Sequence, residues 1–284
     1  MTSTYRPYST TNTRKSPVRY ESDLDDQEHE LIASELAQKP GPGRKRTVNI
    51  REIVNAIFYL LRTGCQWLML PKDFPDYRHV WYYFNKWTLD GTWERINDIL
   101  RRRVRVSSGK DAEPSAAILD SQSVKTTEVG GEDGYDAHKK VNGRKRHILV
   151  DTLGLLLEAV VSAASVQDSD GGEILLDSIK DKLPRLEKVW VDQGYKQWLI
   201  DLVNESFSFV LETVKRPEGQ KGFQVIPQRW KVERTVAWLN RNRRLSKACP
   251  GRHRDYEYHT ENSESMVYLA SIRLMLRRLA NAGT

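Results

Sequence analysis

Ala116-Ala117-Ile118-Leu119-Asp120 and, well downstream, Val189-Trp190-Val191-Asp192 decide how this chain is read. Each is a short apolar run closed by an aspartate, the pattern of a buried strand with an acid at its carboxyl end. Between them, Arg146 to Asp151 reads as a second strand and Leu155 to Ser162 as a third. Gly154 marks the turn that makes the pair a hairpin. Asp170 to Lys182 is helical, with Ile174, Leu175 and Ile179 on one side. Beyond Asp192, Gln197 to Glu205 reads as a helix and Phe207 to Val214 as a fifth strand. Helices then fill Pro227 to Leu245 and about Glu261 to Leu279.

The resulting order is β-β-β-α-β-α-β. The connection from the first strand to the fourth is a crossover, so the two can lie side by side and parallel. This order points to an α/β fold, a ribonuclease H-like mixed sheet with flanking helices. In open α/β sheets, sites form at the carboxyl ends of strands, where adjacent connections diverge. Asp120 and Asp192 are placed there and can share a divalent metal, because magnesium takes carboxylate oxygens, waters and phosphate oxygens. A third carboxylate from a neighbouring helix completes a two-ion site.

Glu233 is the best third candidate. It lies in the helical stretch Arg229-Trp230-Lys231-Val232-Glu233-Arg234-Thr235-Val236-Ala237-Trp238-Leu239. Helical spacing puts it on a face with Arg229, Trp230, Val236, Ala237 and Asn240, and the apolar members direct that face at the protein body. An ordinary ion pair of Glu233 with Arg229 or Arg234 explains the pattern equally well. Asp151 precedes Thr152 and Gly154 and is read as a turn former. Asp168 and Asp170 are read as helix N-caps, with a lesser claim to a place near the metals. His138 and His147 are expected at a DNA-facing or other surface. Gly130, Gly131 and Gly134 sit in a loop and make no phosphate cradle.

Upstream the texture is helical. Ile50, Ile53, Val54, Ile57, Leu60 and Leu61 recur at spacings of three and four. Asn49 and Glu52 resemble a capping box, and Gly64 suits a C-terminal stop. A second helix starts after Asp76, with Val80, Trp81, Phe84 and Trp87 inward, and Gly91 ends it. A third places Trp93, Ile96, Ile99 and Leu100 inward. Trp67, Trp81, Tyr82, Trp87 and Trp93 are read as core. Three short helices with tight turns make a small all-α, helix-turn-helix-like domain over 46–105. Residues 1–45 read as a flexible tail with one short helix from Asp25 to Gln38. Residues 106–115 read as a linker, and 116–284 as the α/β domain.

The chain has 284 residues and a formal net charge of +7. Its basic residues cluster at Arg101, Arg102, Arg103 and Arg105, at Lys139, Lys140, Arg144, Lys145 and Arg146, and from Arg229 to Arg254. Such clusters attract a polyanion and release its counterions. No window is a candidate membrane span and no signal peptide is evident. Cys65 and Cys249 are the only cysteines. They form no metal-ligand spacing, and a reducing cytoplasm is the simplest compartment.

Three blocks resemble a known family. Ile118-Leu119-Asp120-Ser121-Gln122-Ser123-Val124-Lys125 is similar to the first-aspartate block of insertion-sequence DDE transposases of the IS-five group. Val191-Asp192-Gln193-Gly194-Tyr195 is similar to their second-aspartate block, and Arg229 to Leu239 to their glutamate block. The region from Arg46 to about Arg102 and the run Ser265 to Leu274 also resemble this family, so the likeness covers about Arg46 to Leu279. The related IS-four group carries tyrosine, arginine, glutamate and lysine around the glutamate. Arg229 and Glu233 fit that spacing, while Ile226 and Asn240 stand where the tyrosine and lysine would be.

The resemblance implies a DNA transposase that binds the terminal inverted repeats of an insertion sequence. Asp120, Asp192 and Glu233 would be its catalytic and metal-holding residues, with two magnesium ions or manganese in their place. Water attacks the phosphodiester at the element end, and the freed 3′-hydroxyl then attacks target DNA. Arg229, Arg234, Arg241, Arg243 and Arg244, with Lys139, Lys140, Arg144, Lys145 and Arg146, are the candidate DNA contacts. The expected partners are double-stranded DNA and a second copy of the chain, in a prokaryotic cytoplasm at the nucleoid. The alternatives are a metal-dependent nuclease of the same fold and a non-catalytic DNA-binding protein derived from a transposase.

Overall fold

The protein is described by a computed structural model over residues 19–37, 47–214, 230–246 and 254–282. Among these residues lies one mixed sheet of seven strands. β1 (Ala116–Thr126) runs through its middle. On one side β1 pairs antiparallel with β3 (Val141–Asp151), register Asp120 to Ile148. β3 in turn pairs with β4 (Leu156–Ala163) and with the short β2 (Gly134–Asp136). On the other side β1 pairs parallel with β5 (Lys188–Val191), which pairs parallel with β6 (Val210–Thr213). β7 (Arg254–Asp255) lies parallel to the far end of β1.

Alternation along β1 feeds two cores. Ala117 and Leu119 face α6 (Asp168–Ile179) and α7 (Gln197–Ser206), packing with Leu175, Ile179, Leu199 and Val203. Ile118 faces the opposite way, into a core with Ile148, Val150, and Val232 and Leu239 of α8 (Trp230–Leu239). The same core takes in α9 (Thr260–Ala282), buried along most of its length.

The N-terminal helices join that core. α3 (Ile50–Thr63) is capped by the Asn49 side chain, which accepts from the Arg51 amide, and ends on Gly64 in the left-handed region at φ 71°. The Asn49 cap and the Gly64 stop agree with the sequence pattern, but the expected capping box does not form: Asn49 meets the Arg51 amide and Glu52 pairs with Arg19. α4 (Tyr77–Leu89) and α5 (Thr92–Ser107) follow, with Phe84, Trp87, Trp93 and Ile96 buried. Their apolar stripes and α9 bury one another, so the helical segment and the sheet share one core.

Four expectations change. First, the tail is folded over 19–37. α1 (Asp26–Glu30) and α2 (Ala33–Leu36) bury Leu24, Ile32 and Leu36, and Glu28 pairs with Arg273 of α9 at 2.7 Å. The one helix expected here is two short ones, and Ile32 and Leu36, expected on one face, are both buried. Second, Trp81 and Tyr82 are not core, being 45% and 55% exposed, because α4 turns only its Val80, Phe84 and Trp87 edge inward. Third, β1 does not end at Asp120. Its parallel partner β5 stops, while pairing with β3 continues to Lys125. Fourth, β2 and β7 were too short for any periodicity to reveal. The first three residues of the expected helix from Pro227 lie outside the described residues.

Candidate active site

Asp120 sits on β1 just past the last residue paired with β5, and Asp192 directly follows β5. The sheet therefore brings the two aspartates to the carboxyl end of its parallel part, as the sequence implies. Both line one cavity of about 780 Å³, together with Ser121, Asp136, Lys139, Lys145, Asp168 and Lys196. Local backbone fixes each carboxylate. Asp120 Oδ1 accepts from the Ser121 amide and Asp192 Oδ1 from the Gly194 amide, both at 2.8 Å.

Glu233 takes a different position. α8 packs on β1 and β3, across the face of β1 that carries Ile118 and, by alternation, Asp120. Its buried edge is Val232, Thr235 and Leu239, whereas Glu233, Ala237 and Trp230 are exposed. The expected burial of the Glu233 face is thus incorrect: the inward stripe lies about one residue off, centred on Val232 and Val236 rather than on Glu233. Glu233 shares the Asp120 side of the sheet but does not line the cavity. Among the described residues, no three His, Cys, Asp or Glu side chains are gathered as a metal-binding group.

The turn below α8 explains how that helix is docked. Asp151 is buried and, as expected, forms the turn: its Oδ1 accepts from the Leu153 and Leu155 amides, while Oδ2 pairs with Arg105. Gly154 has φ 77°, and a Cβ there would stand 2.7 Å from Thr235 Oγ1. Only glycine lets α8 approach this closely, and Thr235 Oγ1 donates to the Gly154 carbonyl. Arg234 donates to the Leu153 carbonyl and stacks between Trp230 and Trp238.

Asp168 and Asp170 are not N-caps. Gln167 holds that place, and Asp168 and Asp170 lie within the first turn of α6. Asp168 instead pairs with Lys145 at 2.9 Å and faces Lys139 at 3.8 Å. Burial pushes the Asp168 carboxyl up, but the Lys145 and Lys139 ammonium groups outweigh it and hold it below the ordinary range. Asp136 is held down in the same sense. Burial opposes, and the Lys139 amide, the Ser123 hydroxyl and Lys145 prevail. Asp168, Lys139 and Lys145 are among the sequence candidates, whereas Asp136 had no motif to announce it.

The basic stretch 139–146 splits into two kinds of residue. Lys139 and Lys140 are exposed, but Arg144, Lys145 and Arg146 are buried. Arg144 pairs with Asp255 and donates to the Glu257 and Tyr258 carbonyls, and Arg146 also reaches Asp255. Arg244 is buried against Glu257 at 2.7 Å, and Arg101 and Arg105 are buried too. The expectation that Arg144, Lys145, Arg146 and Arg244 face DNA is therefore corrected: Arg144, Arg146 and Arg244 fasten the segment from Asp255 to Tyr258, and Lys145 is held by Asp136 and Asp168. Arg241 and Arg243 are exposed, Arg234 is half-buried, and Arg229 lies outside the described residues.

His147 is buried, not at a surface. Its Nε2 lies 3.1 Å from Ser162 Oγ, and a Cβ on Gly171 of α6 would strike the ring at 2.1 Å. Burial lowers its pKa to about 4. Above the unfolded value near 6.5 the ring is neutral in both states. As pH falls toward 4 the unfolded chain takes the proton and the fold does not, so stability is lost in that window. The expected loss is about 3 kcal/mol. Glu264, raised by burial to about 7, works with the opposite sign: its contribution is full below pH 4.5 and is lost as pH rises through 7. Urea titrations of wild type and His147→Gln between pH 7 and 4.5 separate the two. Glu264 contributes equally to both chains, so between pH 7 and 4.5 the variant should gain about 2–3 kcal/mol relative to wild type, and identical pH dependences would refute the assignment.

A larger cavity, about 1180 Å³, opens between Trp67, Trp81, Lys125, Tyr256 and Tyr258. Neither Asp120 nor Asp192 lines it.

Comparison with known proteins agrees with this architecture. Residues 111–256, just over half of the chain, match the family described as "Transposase DDE domain", and the chain belongs to that family. Residues 24–97 match the family described as "Putative transposase of IS4/5 family". One similar protein is an uncharacterized 16.2 kDa protein of insertion element IS402 from Burkholderia cepacia. It is 28% identical over 118 residues, covering 39% of this chain and 78% of that protein. No solved structure matches at a significant level. No helix among the described residues is long and apolar enough to cross a membrane.

Proposed function

We propose that this protein is a transposase that cuts the ends of an insertion sequence and joins them to target DNA, with Asp120 and Asp192 at the reaction centre. The observation that carries this reading is the meeting of those two carboxylates in one cavity, at the carboxyl end of the parallel pairing of β1 with β5. The strand order β4-β3-β1-β5-β6, antiparallel on one side of β1 and parallel on the other, supports a ribonuclease H-like sheet. Glu233 is proposed as the third carboxylate, on the helix that covers the Asp120 side. The α3–α5 segment is proposed to read the terminal inverted repeats as a helix-turn-helix-like module.

The donor set fits a hard cation. Asp120 and Asp192 supply oxygen ligands in a cavity open to solvent, and they are the residues that would hold magnesium or manganese. Divalent ions bound there supply electrostatic stabilisation of phosphoryl oxygens and acidify an attacking water. The chain's own part is to orient the carboxylates through the Ser121 and Gly194 amides and to bind flanking phosphates. Lys140, Arg241 and Arg243 are the exposed cations proposed for that contact. Two ends must be joined, so a homodimer on DNA in a prokaryotic cytoplasm is part of the proposal.

The test is a joining assay. A labelled duplex ending in the inverted repeat is mixed with supercoiled plasmid, protein and magnesium. The proposal expects label covalently linked to plasmid through the 3′-end of the repeat. Nicked duplex with no joined product would indicate a nuclease, and binding with neither product a DNA-binding protein.

A further inference from the structure

We propose that Lys139 binds a backbone phosphate next to the bond being cut, and that Asp136 and Lys145 hold it in place for that purpose. The inference rests on the strand-cleavage reading above and deepens it.

The cavity holds Asp120, Asp136, Asp168 and Asp192, a concentration of negative charge hostile to a polyanion. Lys145 meets part of it but is only 5% exposed, committed to Asp168, Asp136 and the Val166 carbonyl. Lys139 is different. Its side chain is 34% exposed, and its ammonium faces Asp168 at 3.8 Å and donates to Ser121 O at 3.2 Å and Ser121 Oγ at 3.0 Å. Ser121 directly follows Asp120 on β1, and Lys139, Ser121 and Asp120 line the same cavity.

Its placement is built, not incidental. Asp136 Oδ1 accepts from the amides of His138 and Lys139, at 3.0 and 2.9 Å. Asp136 Oδ2 accepts from Ser123 Oγ on β1 at 2.6 Å, tying this turn to the strand that carries Asp120. Lys145 neutralises the buried Asp136, and Lys140 completes the turn in the left-handed region at φ 52°, an uncommon conformation for a side chain of this size. A surface lysine needs none of these restraints. An ammonium that must meet a phosphate at a fixed point does.

Two measurements on the full chain test this. In the first, single-turnover cutting is followed on duplexes in which each phosphate flanking the cut is replaced in turn by a neutral methylphosphonate. One position should slow the wild type by about 10- to 100-fold. Lys139→Gln should be slow on the ordinary duplex by a similar factor and show no further loss at that position, and Lys139→Arg should recover most of the rate. Asp136→Ala should be slow as well, and combining it with Lys139→Gln should add little. The second measurement needs no cutting. The slope of log binding constant against log salt should fall by about one for Lys139→Gln. If wild type cuts and Lys139→Gln cuts equally fast, or if the two losses multiply, the proposal is overturned while the strand-cleavage reading stands. If nothing cuts, that reading fails, and an unchanged salt slope then overturns the Lys139 contact too.

Discussion

Asp120→Asn and Asp192→Asn are each expected to reduce strand cleavage by at least about a thousandfold while leaving binding to the inverted repeat within a few-fold of wild type. The expectation is sharp because asparagine preserves shape. In both aspartates Oδ1 is engaged by a nearby backbone amide, and the asparagine oxygen can keep that bond. What is lost is one negative charge and the acceptor strength of the second oxygen. A thousandfold corresponds to about 4 kcal/mol of transition-state stabilisation, more than a surface charge could supply. Glu233→Gln is expected to match the two aspartate variants. An unaltered rate in Glu233→Gln would give the third position to another acid, and Asp168, already in the cavity, would be the first to examine. Single-turnover kinetics and gel-shift titration on one labelled duplex read both quantities.

The second large effect is on stability. Arg105→Met should cost about 3–5 kcal/mol, because it strands the fully buried Asp151 carboxylate. The damage should spread. Asp151 ties the Leu153–Leu155 turn, and α8 is docked on that turn through Thr235 and Arg234. Removing both charges, as in Arg105→Met with Asp151→Asn, should recover part of the loss, since the turn acceptor is retained and no bare charge remains buried. Urea denaturation at pH 7 gives the values. A loss under about 1 kcal/mol in Arg105→Met would mean that water reaches the pair and the burial argument is wrong.

The sequence made some features plain because their signals are local. The strands that carry Asp120 and precede Asp192 could be read from apolar runs, though not the extension of the first beyond Asp120, and α3 from its periodicity, its Asn49 cap and its Gly64 stop. The Asp151 turn followed from an acid just before a glycine. What escaped depends on distant partners. Arg144, Arg146 and Arg244 look like a polyanion surface until Asp255 and Glu257 arrive from the far end of the chain to cover them. His147 looks polar until α6, thinned by Gly171, closes over it. The segment 19–37 looks like a tail until α9 offers Arg273 to Glu28. In the site, both aspartates were legible and Asp168 was a lesser candidate, while Asp136 was not legible, since its lysine partner meets it only through the β2–β3 turn. Glu233 was correctly assigned to a helix but to the wrong edge of it, because an offset of about one residue is invisible when tryptophans flank both edges.

The most direct test of the central claim is to ask where a divalent ion bound with the DNA end sits. Ferrous ion can take the place of magnesium, and peroxide then generates hydroxyl radicals that cut whatever lies beside it. The complex of wild-type protein with inverted-repeat duplex should give polypeptide breaks next to residues 120 and 192 and DNA scission at the element boundary, all suppressed by excess magnesium and absent in Asp192→Asn. Breaks elsewhere in the chain, or DNA scission unaffected by Asp192→Asn, would place the ion away from these carboxylates and contradict the account.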